Sequence, residues 1–122
     1  LPYEWNHRYG QLLGVQPACD AEGCLQDVHW SEGLFGYFPS YLLGHLISAQ
    51  LSEAMEIEIG SPEHHIAAGD VTPMLGWLRQ RVHGVGRALN AEDLVQQVTG
   101  RPLDSDAFLR HLNAKLGCLA ML

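Results

Sequence analysis

Apolar residues recur along this chain at intervals of three and four, and glycine and proline interrupt them, which predicts a succession of helices. Leu1 to Leu13 reads as the first, with Trp5, Tyr9, Leu12 and Leu13 near one face; Gly14 and Pro17 end it. Pro39, in a first turn, opens the longest helix, which runs to about Ile57. Leu42, Leu43, Leu46, Ile47, Leu51, Ala54 and Met55 keep helical spacing along it, and Gly60 stops it. Ser61-Pro62 starts a short helix with Ser61 as its cap. Thr72-Pro73 starts another in the same way, with Met74, Leu75, Leu78 and Val82 facing inward and Trp77 in the core by spacing. Asn90 caps Ala91 to Thr99, reinforced by Asp93, and Gly100 and Pro102 end that segment. Asp104 or Ser105 caps the last helix, which carries Phe108, Leu109, Leu112, Leu116 and Leu119.

The stretch from Cys19 to Tyr37 has no helical spacing and holds Gly23, Gly33 and Gly36. Alternation over Leu25 to Trp30 allows a short strand there, placing Leu25, Asp27 and His29 on one face. The predicted fold class is all-α, with about six helices and at most one short strand or hairpin in this region.

A length of 122 residues suits one compact domain, and a hydrophobic fraction of 47% supplies core material for it. Seven Lys and Arg against fourteen Asp and Glu give a net charge of −7. Such a chain is repelled by phosphate backbones and anionic lipids, so nucleic acid is not an expected partner. No membrane partner is expected either, because the apolar stretch Phe38 to Ile59 is broken by Ser40, His45, Ser48, Gln50, Ser52, Glu53, Glu56 and Glu58. Cys19, Cys24 and Cys118 form no disulfide framework and complete no zinc site with a second Cys or His pair; free thiols in a reducing cytoplasm are expected. The chain starts without Met inside a helix and carries no signal peptide pattern, which leads to the expectation of a piece of a longer protein.

The densest polar cluster is Gln26, Asp27 and His29, followed by Trp30, with glycines on both sides. Asp27 and His29 are two apart, so an extended backbone turns both to one cleft. There Asp27 orients the imidazole and His29 donates a hydrogen bond to a polarised carbonyl or transfers a proton. The alternative is a buried polar cluster that ties the loop down. Tyr37 and Tyr41, four apart around the Pro39 helix start, form a second group. A phenol is a neutral donor suited to an oxyanion, although spacing alone favours both rings as packing at a core edge with their hydroxyls at the surface. His64 and His65 point in different directions and read as solvated first-turn residues; His45, His83 and His111 read as partly buried or surface histidines. No His-Glu-x-x-His, nucleophile-elbow, phosphate-loop or dinucleotide motif occurs.

Gly23 to Trp30 reads Gly-Cys-Leu-Gln-Asp-Val-His-Trp, which resembles the Gly-x-x-Gln-Asp-x-His-Trp signature of the carboxypeptidase Taq family at every fixed position. Trp5-Asn6, Asp20-Ala21-Glu22, Gly36-Tyr37-Phe38-Pro39-Ser40-Tyr41, Gly69-Asp70 before Thr72-Pro73, Trp77-Leu78-Arg79, Thr99-Gly100 and Pro102-Leu103 extend the resemblance over essentially the whole chain. It implies that residues 1–122 are one C-terminal region of a larger, mostly helical zinc metallocarboxypeptidase, a cytoplasmic homodimer that removes residues from peptide C-termini. Zinc would be held in the full-length parent by a His-Glu-x-x-His region that this chain lacks, so no metal ligand lies here. By the same resemblance Gln26, Asp27, His29 and Trp30 line the active-site cleft. His29 is the donor to substrate, oriented by Asp27, and Tyr37 and Tyr41 stabilise the oxyanion. Gly33 and Gly36 let the loop move when substrate binds. Two expectations follow: the chain alone is inactive, and it self-associates through apolar stripes. The competing reading is a stand-alone helical peptide- or protein-binding module derived from such a peptidase.

Overall fold

The computed structural model describes residues 1–119, with side chains up to Gly117, so the side chains of Cys118 and Leu119 lie outside the described residues. Every regular element among the described residues is helical: α1 (Pro2–Leu13), α2 (Phe38–Ile59), α3 (Pro62–Ala67), α4 (Thr72–Arg81), α5 (Ala91–Thr99) and α6 (Asp106–Leu119), with short 3-10 turns between them. The chain divides into two compact units, one from Leu1 to Pro39 and one beginning at Ser40.

In the first unit, α1 starts on Pro2, whose missing N–H costs nothing at a first-turn position, and an exposed Glu4–Arg8 pair at 2.8 Å spans its first turns. Gly14 closes it in the left-handed conformation (φ 68°), donating its N–H to the Gly10 carbonyl. The strand that alternation allowed at Leu25 to Trp30 is absent. Three 3-10 turns occupy this region, Asp20–Glu22, Cys24–Gln26 and Val28–Glu32. The reason is local. The donors here find acceptors three residues back, as in Gln26 N–H to Gly23 O at 3.0 Å and Gly33 N–H to Trp30 O at 3.1 Å. Six alternating residues carry no information about whether a partner strand exists to form a ladder.

The second unit is organised around α2, which buries Gln50 and Met55. Trp77 of α4, Val95 of α5 and Ala107 of α6 are buried with them. The sequence placed Leu75 inward, and its side chain is exposed; on α6 Leu109, Leu112 and Leu116 are exposed too, and the small Ala107 is buried. Gln50, 1% exposed, ties α2 to the α5–α6 connection. Its Nε2 donates to the Pro102 carbonyl (2.9 Å) and to Thr99 Oγ1 (3.2 Å), while its Oε1 accepts the Asp104 N–H (3.2 Å). Beside it, Glu53 of α2 receives Arg110 on both oxygens (2.8 Å each) and Arg101 on one (2.9 Å). Arg81 reaches Glu58 at 2.7 Å and so links α4 to α2.

The caps follow the sequence in part. Asn90 Oδ1 accepts the Asp93 N–H at 2.8 Å as expected, and Asp104 Oδ1 accepts the Asp106 N–H at 2.9 Å at the start of α6. Ser61 stands at the N-cap of α3, but its hydroxyl donates to Glu63 Oε2 (2.7 Å) and takes no backbone donor. The first turn of α4 is capped from outside, with Asp70 Oδ1 accepting the Thr72 N–H at 3.0 Å. His65 is not a solvated residue: it is half-buried, with Nε2 2.9 Å from the Ile59 carbonyl at the end of α2.

Candidate functional site

The signature residues lie in the first unit, on a segment that begins with a close approach of backbones. Gly23 is buried, and a Cβ there would stand 2.9 Å from Pro17 Cγ and 3.4 Å from Asn6 Oδ1, so only glycine lets the chain pass between α1 and Pro17. Cys24 is buried beside it as a free thiol, while Cys19 is exposed. The Gln26 amide donates to the Ala21 carbonyl, closing the two preceding 3-10 turns on each other.

Asp27 is extended (φ −83°, ψ 96°) and caps the turn Val28–Glu32. Its Oδ1 accepts the His29 backbone N–H at 3.0 Å and lies 2.6 Å from His29 Nδ1. One carboxylate oxygen thus fixes both the backbone and the ring of His29. The contact assigns a proton to Nδ1 and leaves the ring little rotational freedom. The side chains are 10% and 17% exposed, so the pair is held largely out of water, where such a bond is strong. Asp27 and His29 therefore come together as expected, but by an Asx-type turn and not by facing the same way along a strand.

Tyr37 and Phe38 surround the imidazole. The Tyr37 ring lies 5.1 Å from it, tilted by 33°, and Phe38 meets it edge-on at 6.2 Å. The chain reaches them through Leu34 N–H to His29 O (2.9 Å) and through Gly33 and Gly36, both at positive φ (73° and 74°). Those angles suit glycine, so this tight return is written into the sequence. Trp30 turns toward a different set of rings: Trp5 of α1, edge-to-face at 5.7 Å, and Phe35 at 6.4 Å. Tyr41 lies in the second unit, in an early turn of α2, half-exposed. The first unit thus gathers Asp27, His29, Trp30 and Tyr37, with Gln26 as a loop tie. Sequence reasoning gave Phe38 no part at the imidazole, although its place directly after Tyr37 was the available signal.

Chemically, the cluster offers an oriented imidazole and a phenol ring beside it, which suits hydrogen bonding to a carbonyl or carboxylate and proton movement. Among the described residues no group of three or more His, Cys, Asp or Glu is arranged to hold a metal ion. No described helix is long and apolar enough to cross a membrane.

Residues 1–116 match the model of the family described as carboxypeptidase Taq (M32) metallopeptidase. Thermostable carboxypeptidase 1 of Thermus thermophilus is 42% identical over 119 residues, covering 98% of this chain and 23% of that protein. Carboxypeptidase 1 of Bacillus subtilis is 38% identical over 122 residues, covering 100% of this chain and 24% of that protein. The crystal structure of the M32 carboxypeptidase from Deinococcus radiodurans superposes with a TM-score of 0.89 at 35% identity, covering 100% of this chain and 25% of the other. The chain spans about a quarter of the length of the relatives it matches.

Proposed function

Because this chain belongs to the carboxypeptidase Taq family of metallopeptidases, we propose that it forms the C-terminal, substrate-binding wall of a metallocarboxypeptidase that releases amino acids from peptide C-termini. The observation that carries this reading is the Asp27–His29 pair, bonded at 2.6 Å and flanked by Tyr37, within the family signature. His29 donates to the carbonyl oxygen of the scissile peptide and to the oxyanion that replaces it. In the imidazolium form both ring nitrogens donate, Nδ1 to Asp27 and Nε2 to substrate. Tyr37 adds a phenolic donor to that developing charge, while an oxyanion role for Tyr41 rests on the family resemblance alone. Trp30 lines the wall beside His29, Gln26 holds the loop through Ala21, and the glycines Gly33 and Gly36 give the return its freedom to adjust around substrate. A metal ion, zinc by resemblance, supplies Lewis-acid and water-activating chemistry when bound; its ligands belong to the longer enzyme and not to this chain. Homodimerisation and a cytoplasmic location complete the reading.

In a full-length enzyme carrying this segment, His29→Ala is expected to lower kcat/KM for a dipeptide-extended substrate by roughly 10²–10³-fold, the usual cost of losing one oxyanion donor. Metal content should stay at the parent level. Activity within twofold of the parent would refute the role. The isolated chain is expected to release no C-terminal residues with or without added zinc.

A further inference from the structure

We propose that Trp5, on α1, is a positioning residue for the Asp27–His29 pair and acts through Trp30. Four rings run in series through the first unit. Tyr9 stacks on Trp5 at 5.3 Å, Trp5 meets Trp30 edge-to-face at 5.7 Å and 87°, and Trp30 lies near-parallel to Phe35 at 6.4 Å. Trp5 Nε1 is buried and has no hydrogen-bond partner among the described residues, so ring contacts are what hold the indole. The neighbouring Asn6 stands at the other end of the segment, 3.4 Å from the place a Gly23 Cβ would take. Two consecutive residues of α1 therefore bracket Gly23 to Trp30, the stretch that carries Asp27 and His29.

The coupling is mechanical. His29 and Trp30 are adjacent in the five-residue 3-10 turn Val28–Glu32, and each is also pinned by its carbonyl, to Leu34 N–H and Gly33 N–H respectively. In a turn of this kind successive side chains point about 120° apart, so Trp30 faces the α1 rings while His29 faces Tyr37 and Phe38. A turn this short cannot rotate one side chain and leave the next in place. A rotation of about 10°, acting on a ring roughly 6 Å from the turn axis, displaces it by about 1 Å, an error that costs an active site on the order of 10²-fold. The same displacement would lengthen the 2.6 Å Asp27–His29 contact past hydrogen-bonding range.

That His29 acts on substrate rests on the function proposed for this chain, but the positioning can be read without substrate. The measurement is NMR of the His29 ring nitrogens and the Nδ1-bound proton in the ¹⁵N-labelled chain, with near-ultraviolet circular dichroism following the Trp5–Trp30 pair. Trp5→Leu is expected to lose the hydrogen-bonded Nδ1 proton signal and the tryptophan couplet, and Trp5→Phe to restore the His29 signals. In a Trp30→Leu background, Trp5→Leu should add nothing further. His29 signals unchanged by Trp5→Leu, or changed equally in both backgrounds, would overturn the proposal, as would a Trp5→Phe shift as large as that of Trp5→Leu. Should Trp5→Leu unfold the first unit, Trp30→Leu decides: a folded chain with parent His29 signals sinks the idea. Those failures would leave the catalytic role of His29 standing, whereas an unaffected rate in the His29→Ala enzyme would remove that role alone.

Discussion

Replacing Gln50 with leucine keeps the volume of the side chain and removes its three hydrogen bonds, to Thr99, Pro102 and Asp104. Gln50 is 1% exposed, so water does not take over the bonds while the unit stays folded. The loss is uneven. Thr99 Oγ1 still donates to the Val95 carbonyl at 2.8 Å and accepts weakly from Arg101 N–H at 3.4 Å, so it keeps partners. The Pro102 carbonyl and the Asp104 N–H lose the bonds that tie them to α2. A net hydrogen bond contributes about 1 kcal/mol, and each stranded group costs about 1–3 kcal/mol, offset in part by the leucine's own burial. The expected destabilisation is roughly 2–3 kcal/mol, which in a unit of this size lowers Tm by roughly 10–20 °C. Thermal unfolding followed by far-ultraviolet circular dichroism, with urea unfolding for the free energy, measures it. A Gln50→Leu chain within about 0.5 kcal/mol of the parent would refute the view that this residue fixes the α5–α6 connection, because that is the ordinary effect of a surface change.

Glu53 is held below the usual carboxylate range, first by its hydrogen bond from Arg110 and further by the charges of Arg110 and Arg101. A carboxylate depressed in the folded state contributes stability that is fully present above its unfolded value near 4.5 and is lost as pH falls through its lower native value. Urea unfolding between about pH 6 and pH 3 should show this loss, and Glu53→Gln should flatten it. The pairs are partly exposed, so the contribution is of the order of 1 kcal/mol and shrinks with salt. In the first unit, Gly23→Ala forces a Cβ to within 2.9 Å of Pro17 Cγ, and the expected cost is about 1–3 kcal/mol, read from tryptophan fluorescence of that unit. Fluorescence and unfolding midpoints at parent values would contradict that close approach.

What the sequence determined by itself is everything that local chemistry writes. Pro2, Pro39, Pro62 and Pro73 open helices and Gly14, Gly60 and Gly100 end them, because the backbone angles and donors involved belong to those residues alone. The Asn90–Asp93 cap was legible for the same reason, as was the pairing of Asp27 with His29 two residues on, whereas Tyr37 read as part of a second group with Tyr41 and meets the imidazole only in the fold. Tertiary structure decided what depends on a partner distant along the chain. Leu25 to Trp30 alternates like a strand but folds as 3-10 turns, since a strand needs a neighbour that six residues cannot announce. Ala107 is buried while Leu109, Leu112 and Leu116 are exposed, because a helix buries whichever face its neighbours reach. Gln50 looked like one polar interruption of an apolar helix. It is a buried polar residue because its acceptors and donor come from residues 99 to 104, about fifty positions along the chain.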